Sequence, residues 1–470
     1  MKKRLLATLL AGVLVLSSLA LVACGNNGNG NDAGNNDPAV ADDNDDDPGE
    51  DPGEAPADDG EQVTLNFMHI FTPGHAHEDA RHASMDEFRA MHPNITLIDD
   101  VITHDDYIGQ VFSIRAAADE LPELFLLHIG HYTQISQSGQ AMDWMPVLDE
   151  NPEWRDSFIP DILAEPRIAG VQLAIPAQMI ANGALVYNSD IIASVGWDTI
   201  PDYWPEFIEM NAALVEAGYI PIAVGNVGIW PMISGWLEML CSRILGTDWI
   251  NSIQAREGAR WDDPGFVQVA EVTLEAYQLG FFNQDIQSID DQTSRMYFAH
   301  GEAAMFLDGP WATGAINEFP EAIRDATRVS VLPAIPGGAG VGRTVTGGCA
   351  WNYAASAQNE GAVRDAAIKF VMHMTSIEAS AQLMEAGFFP PLHLELLPVN
   401  WDNLSPIMLE YVNLFNTVDA IDRMDTFQLT TAMAYYIRRG LQEVMLGAIT
   451  PEEYAANVQD LYYEFLELFE

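Results

Sequence analysis

The residues best suited to chemistry lie in Gly301-Glu302-Ala303-Ala304-Met305-Phe306-Leu307-Asp308-Gly309-Pro310-Trp311. Ala303 to Leu307 reads as a strand, and Asp308-Gly309 turns the chain. Pro310 suits the first position of a helix, where its missing N–H costs nothing. Trp311 then falls in the first helical turn, beside backbone N–H groups that have no intrahelical acceptor. A flat indole beside free donors suits a pyranose, whose apolar face stacks while its hydroxyls take hydrogen bonds. The plainer alternative is a core tryptophan under a helix start, since large aromatics usually pack.

Eight of the eleven histidines fall between His69 and His131. A metal-capturing protein would use residues such as His75 and His77 with Glu78. The histidines are strung along the chain rather than gathered at ligand spacing, so no metal site is expected. There is no Gly-x-Ser-x-Gly, no phosphate-binding loop before Lys-Ser/Thr and no His-Glu-x-x-His. A glycoside hydrolase needs two carboxylates roughly 5–10 Å apart across a cleft. Acids abound, but nothing places such a pair. The expectation is a binding protein, not an enzyme, without a cofactor.

These residues need a scaffold. Val63 to Ile70 reads as a strand and Glu78 to Met91 as a helix, with Ala80, Ala83, Phe88 and Met91 as its inward residues. A strand from Ile95, a helix from Asp105 to Ala118 and a buried strand at Leu124 to Leu127 follow. This alternation predicts an α/β fold with a parallel sheet covered on both faces. Ligands gather at the carboxyl ends of such strands. The loops after Ile70 and Leu127 therefore become candidates: Phe71, Thr72 and His75 in the first, and His128, His131 and Tyr132 in the second.

The chain opens with Lys2, Lys3 and Arg4, then an apolar run that ends in Leu21-Val22-Ala23-Cys24. Residues 1–23 read as a secretion signal. The Cys after Leu-Val-Ala resembles the bacterial lipobox, which implies that Cys24 is lipidated and that the protein is held on the outer face of the cell membrane. Residues 25–61 carry 13 acidic residues and no Lys or Arg. Such a segment cannot offset its ordering entropy by burial, so 24–61 is expected to be a disordered tether. The formal charge of the whole chain is −49. Residues 62–470 keep 17 basic and 56 acidic residues, a net −39. That balance disfavours nucleic acid and anionic lipid as partners. The remaining length calls for two domains. Cys241 and Cys349 are compatible with either a disulfide or two buried thiols.

The Gly301–Trp311 segment is very similar to the signature of extracellular solute-binding proteins, the family that includes maltose-binding protein. His92-Pro93-Asn94-Ile95-Thr96-Leu97, Ala174-Ile175-Pro176, Leu185-Val186-Tyr187-Asn188-Ser189-Asp190, Trp204-Pro205-Glu206-Phe207, Ile220-Pro221-Ile222-Ala223, Leu332-Pro333 and Ile449-Thr450-Pro451-Glu452-Glu453 match in the family's order. The resemblance implies a two-lobed periplasmic-binding-protein-like fold with a ligand cleft between the lobes. Three hinge crossings are expected near 180, 350 and 398. Lobe 1 would comprise 62–180 and 351–398, and lobe 2 would comprise 181–350 and 399–470. It implies a monomer that delivers a sugar or oligosaccharide to the transmembrane subunits of an ABC permease. A non-sugar solute such as a metal ion or small peptide is the alternative reading, and a hydrolase or adhesin a more distant one. The resemblance carries a stacking role to Trp311 and suggests Asn182, Asn226, Trp230 and Tyr435 as further contacts. The Asp-Arg pair that grips hydroxyls in maltose-binding protein has no counterpart, because Gly130 and His131 stand at the aligned positions. Maltose itself is therefore not expected.

Overall fold

The computed structural model describes residues 60–467 apart from 75, 229, 341 and 423–430. The expected signal segment, Cys24, nearly all of the tether and His75 lie outside the described residues.

Fourteen strands are described. The first group is β1 (Val63–His69), β2 (Ile95–Val101), β3 (Leu124–His128), the short hairpin β4 (Arg167–Ile168) and β5 (Val171–Gln172), β6 (Ile175–Pro176), β7 (Ile180–Asn182) and β8 (Ala184–Asn188). Further on come β9 (Ile220–Ala223), β10 (Ala303–Asp308), β11 (Thr327–Val331), β12 (Thr344–Gly348), β13 (Trp351–Ala355) and β14 (Ala420–Asp422). They build a five-stranded sheet ordered β2-β1-β3-β13-β6 and a four-stranded sheet ordered β11-β8-β10-β9. A three-stranded sheet, β14-β12-β7, lies on the connections between them. β1 runs parallel to β2 and β3, while β13 runs antiparallel to β3 and β6. β10 runs parallel to β9 and antiparallel to β8.

The chain leaves the five-stranded sheet after Pro176 and enters the four-stranded one at Ala184, by way of β7. It returns between Gly348 of β12 and Trp351 of β13. After Phe389, which bridges Met179, it passes to the helix Pro406–Thr417, which packs on β11. Three passages thus join two lobes. At the first of them Gly183 has φ +74°, and a Cβ there would fall inside the Met239 side chain, so only glycine fits.

The strands are held by burial. β3 and β10 are buried along their whole length, as expected of central strands covered on both faces. The helix Ala76–Met91 buries Phe88 as expected but otherwise departs from its expected face. Its inward residues are Arg81, Ser84, Met85 and Phe88, whereas Met91 is 57% exposed and Ala83 points to solvent. The cause is Arg81. Its guanidinium sits 4.7 Å from the Phe71 ring centroid and 5.3 Å from that of Phe388, and it donates to Gln178 Oε1. A charged residue with such partners can take an inward position, which a hydrophobic pattern misreads. Cys241 and Cys349 are both free and buried.

Candidate ligand site

The carboxyl ends of both sheets carry the candidate residues. In the first lobe β1 ends at His69 and β3 at His128, and the same device follows each strand. His69 Nδ1 accepts the Phe71 N–H at 3.1 Å, and His128 Nδ1 accepts the Gly130 N–H at 3.1 Å. An Nδ1 that accepts leaves the ring proton on Nε2, so the neutral imidazole presents a donor there. Burial lowers the His128 pKa well below its ordinary value, with His131, His104 and Arg438 adding to the effect. The His128 ring lies 4.7 Å from that of Trp351, and Trp351 lies 5.8 Å from His104.

The other first-lobe candidates divide by accessibility. Phe71 is 2% exposed and lies under the Arg81 guanidinium. Tyr132 is buried, and its hydroxyl accepts from Asn352 Nδ2 at 2.6 Å. His131 stacks on Phe112 with centroids 4.3 Å apart, and burial pushes its pKa down to about 4 against the opposing pull of Gln134. Thr72 is exposed, with its hydroxyl donating to the Ile70 carbonyl at 3.3 Å. The structure thus places Phe71, Tyr132, His131 and His128, which is 4% exposed, in packing and leaves Thr72 exposed.

In the second lobe β10 delivers the signature turn. Asp308 is buried; its Oδ2 accepts from Arg295 Nε at 2.5 Å and its Oδ1 from the Gly309 N–H at 2.9 Å. Burial raises the Asp308 pKa, while the Arg295 charge and hydrogen bond oppose it. Arg295 also donates to Asp291 at 2.7 Å, which clamps the turn from behind. Gly309 opens a one-turn 3₁₀ helix, Pro310–Ala312, and the helix Thr313–Asn317 continues it. The Trp311 indole folds back over Gly309 so closely that a Cβ there would come within 2.7 Å of three of its ring carbons.

Trp311 is half-buried and so is Trp230, and their rings meet edge to face at 5.8 Å and 69°. Together with Gly183, Pro231, Gly235, Leu307 and Asp308 they line a narrow crevice with no room for a water molecule. Tyr435 is 59% exposed on the helix Thr431–Met445. Asn226 is fully buried, with Oδ1 accepting the Met232 N–H at 3.3 Å and Nδ2 donating to Gln287 at 3.3 Å, so its amide braces the loop. Asn182 lies in β7 opposite Thr346. Glu238, Arg438 and Trp351 carry no local sequence signal. Glu238 and Arg438 stand 200 positions apart, and only the fold relates them.

The lobes come close where Gly314 faces Ala76 and Gly387 faces Thr313. A Cβ on Gly314 would meet that of Ala76 at 3.9 Å, and one on Gly387 would press on Thr313 at 3.1 Å. Among the described residues no group of three or more His, Cys, Asp or Glu side chains could hold a metal ion. Among the same residues no helix is long and apolar enough to cross a membrane.

Known proteins share this architecture. The chain is similar to a chitin oligosaccharide binding protein of known structure, with a TM-score of 0.78 and 20% identity over 86% of this chain and 99% of that one. A maltose-bound protein of T. maritima superposes with a TM-score of 0.68 and 19% identity, over 85% of this chain and 99% of that one. An uncharacterized ABC transporter extracellular-binding protein of Pyrococcus horikoshii is 23% identical over 321 residues, which span 67% of this chain and 65% of that relative. Residues 75–381 match the sequence family described as bacterial extracellular solute-binding protein, and the chain belongs to that family.

Proposed function

We propose that this chain is the substrate-binding lipoprotein of an ABC importer, capturing a sugar or oligosaccharide between two closing lobes. The observation that carries the reading is the edge-to-face pair Trp230–Trp311 beside a crevice at the carboxyl ends of the second sheet. Two half-buried indoles inclined at 69° give a saccharide one face to stack on and a wall to abut. Chitin oligosaccharide and maltose, named for the structural relatives, are chemically in keeping with that surface.

In this reading lobe 1 comprises 62–180 and 351–398, and lobe 2 comprises 181–350 and 399–470. Trp311, Trp230, Thr72 and Tyr435 contact the ligand, while Phe71, His128, His131, Tyr132 and Asn226 support them. Only a ligand that touches both lobes favours closure, because a ligand shifts an equilibrium by its differential affinity for the two states. The closed form is what the permease reads. Cys24 carries the lipid, and residues 24–61 lift the monomer off the outer face of the cell membrane. The protein performs no chemistry on its ligand.

Uptake tests the reading. Cells that lack this protein should lose high-affinity uptake of one labelled oligosaccharide and recover it on complementation. Wild-type uptake of every saccharide in a broad panel would defeat the proposal.

A further inference from the structure

The three passages between the lobes are tied together at one residue. In the first passage the Ala177 N–H donates to the Trp351 carbonyl at 3.0 Å, and the Met179 N–H donates to the Phe389 carbonyl at 2.8 Å. Trp351 ends the second passage and Phe389 opens the third, so Gln178 stands between the bonds that join all three. Its side chain is held from the first lobe, where Arg81 of the helix Ala76–Met91 donates to Gln178 Oε1. Both side chains are buried. The same guanidinium faces the ring of Phe388, next to Phe389, and that of Phe71 in the loop after β1. A second tie lies on the next passage. Glu165 Oε2 accepts the Cys349 N–H at 2.5 Å, and a Cβ on Gly348, at φ +141°, would fall 2.7 Å from Glu165 Oε1.

The second lobe grips the other end of the same strands. Arg243 is buried and donates to the Thr344 carbonyl at 2.8 Å and to the Leu332 carbonyl at 2.8 Å. Thr247 Oγ1 donates to Asp422 of β14 at 2.6 Å, and Ser242 donates to the same carboxylate. Between these two sets of ties runs a short antiparallel ladder, Ile180–Asn182 of β7 against Thr346–Gly348 of β12. Gly347 and Gly348 bring no side chain to it, which makes it easier to bend than its ends. A buried guanidinium does not leave its acceptor cheaply, because a desolvated donor would stay unpaired.

We propose that Arg81 and Gln178 are positioning residues for ligand capture: they fix the first-lobe end of the hinge, so that closure bends the β7–β12 ladder, and they set ligand affinity without touching the ligand. The inference rests on the lobe-closure reading above and deepens it. With the first-lobe end loose, the second lobe samples orientations in which Trp230 and Trp311 no longer face the opposite wall. The apparent Kd then rises by the reciprocal of the fraction that stays aligned. The clamp also reaches the stacking turn, since Gly387, beside Phe388, lies against Thr313 of the helix that follows Trp311.

Hydrogen exchange of the ligand-free full chain tests the clamp. The double variant Arg81→Met with Gln178→Leu removes donor and acceptor together, so its melt should stay near that of wild type. Exchange should quicken about tenfold or more in peptides covering 177–182 and 346–352 and stay unchanged in β3 and β10. Gln178→Glu keeps an acceptor for the guanidinium and should retain wild-type protection. In calorimetric titration with neutral oligosaccharides, chitotriose, maltotriose and xylotriose among them, a saccharide that binds wild type should bind the double variant about tenfold more weakly. It should bind Gln178→Glu at wild-type strength. Wild-type exchange at the hinge, or wild-type affinity, in a folded double variant overturns the inference. Faster exchange throughout both lobes with a lowered melt also overturns it, because Arg81 would then serve packing alone. Failure of every saccharide to bind wild type overturns the carbohydrate reading and not the clamp, which the exchange comparison decides by itself.

Discussion

Replacing Gly309 by alanine should remove the stacking surface without unfolding the chain. Gly309 has φ −129° and ψ −174°, extended backbone that any residue adopts, so alanine brings no backbone strain. The new methyl would come within 2.7 Å of three Trp311 ring carbons, so the indole must swing away. A sugar ring on one indole face removes on the order of 80 Å² of apolar surface from water, which at ~25 cal/mol per Å² is ~2 kcal/mol. That corresponds to a loss of affinity of about 30-fold. Trp311 is half-buried and its main aromatic partner is Trp230, so losing that pair should lower the melting temperature by no more than about 2–4 °C. Calorimetry gives the affinity, and differential scanning fluorimetry gives the melt. Adding Trp311→Ala to Gly309→Ala should cost little more, because both remove the same contact. An affinity within twofold of wild type would refute the role given to the indole. A collapse of the melting temperature with little change in affinity would mark Trp311 as a packing residue.

Other perturbations probe the supports of the site. Arg295→Met strands the buried Asp308 carboxylate and should cost about 3–5 kcal/mol in urea unfolding, the scale for breaking a buried ion pair. Burial raises the Glu78 pKa from 4.5 to about 7, against the nearby Arg81 charge. The stability this gives is complete below the unfolded value and lost as pH rises through about 7. Glu78→Gln should therefore match wild type in melts at pH 4 and exceed it at pH 8; the reverse order would refute this. Cys241 and Cys349 are buried free thiols, so a thiol reagent should label neither in the native protein and both in denaturant, and reductant should leave the melt unchanged.

The strand-turn-helix at Ala303–Trp311 was legible because its pieces are local: a buried strand, an Asp-Gly turn and a proline at a helix start. The loops after β1 and β3 were legible as strand ends. What lies in them was not, because an aromatic beside a cleft and an aromatic in a core look alike in sequence. Phe71 and Tyr132 look like ligand platforms until Arg81 and Asn352 are seen to occupy them. The inward face of the first helix was misread for a related reason, since its buried arginine depends on Gln178 and Phe388, far along the chain. Glu238 and Arg438 had no local signature at all. They stand on separate helices, Glu238–Ile244 and Thr431–Met445, that only the fold relates.

The most direct test of the central claim is calorimetric titration of the full chain with a panel of neutral oligosaccharides, amino acids, small peptides and divalent metal ions. The account predicts saturable one-to-one binding by a neutral oligosaccharide and no comparable heat from the rest. Saturable binding of a metal ion, peptide or amino acid with no saccharide response would contradict it.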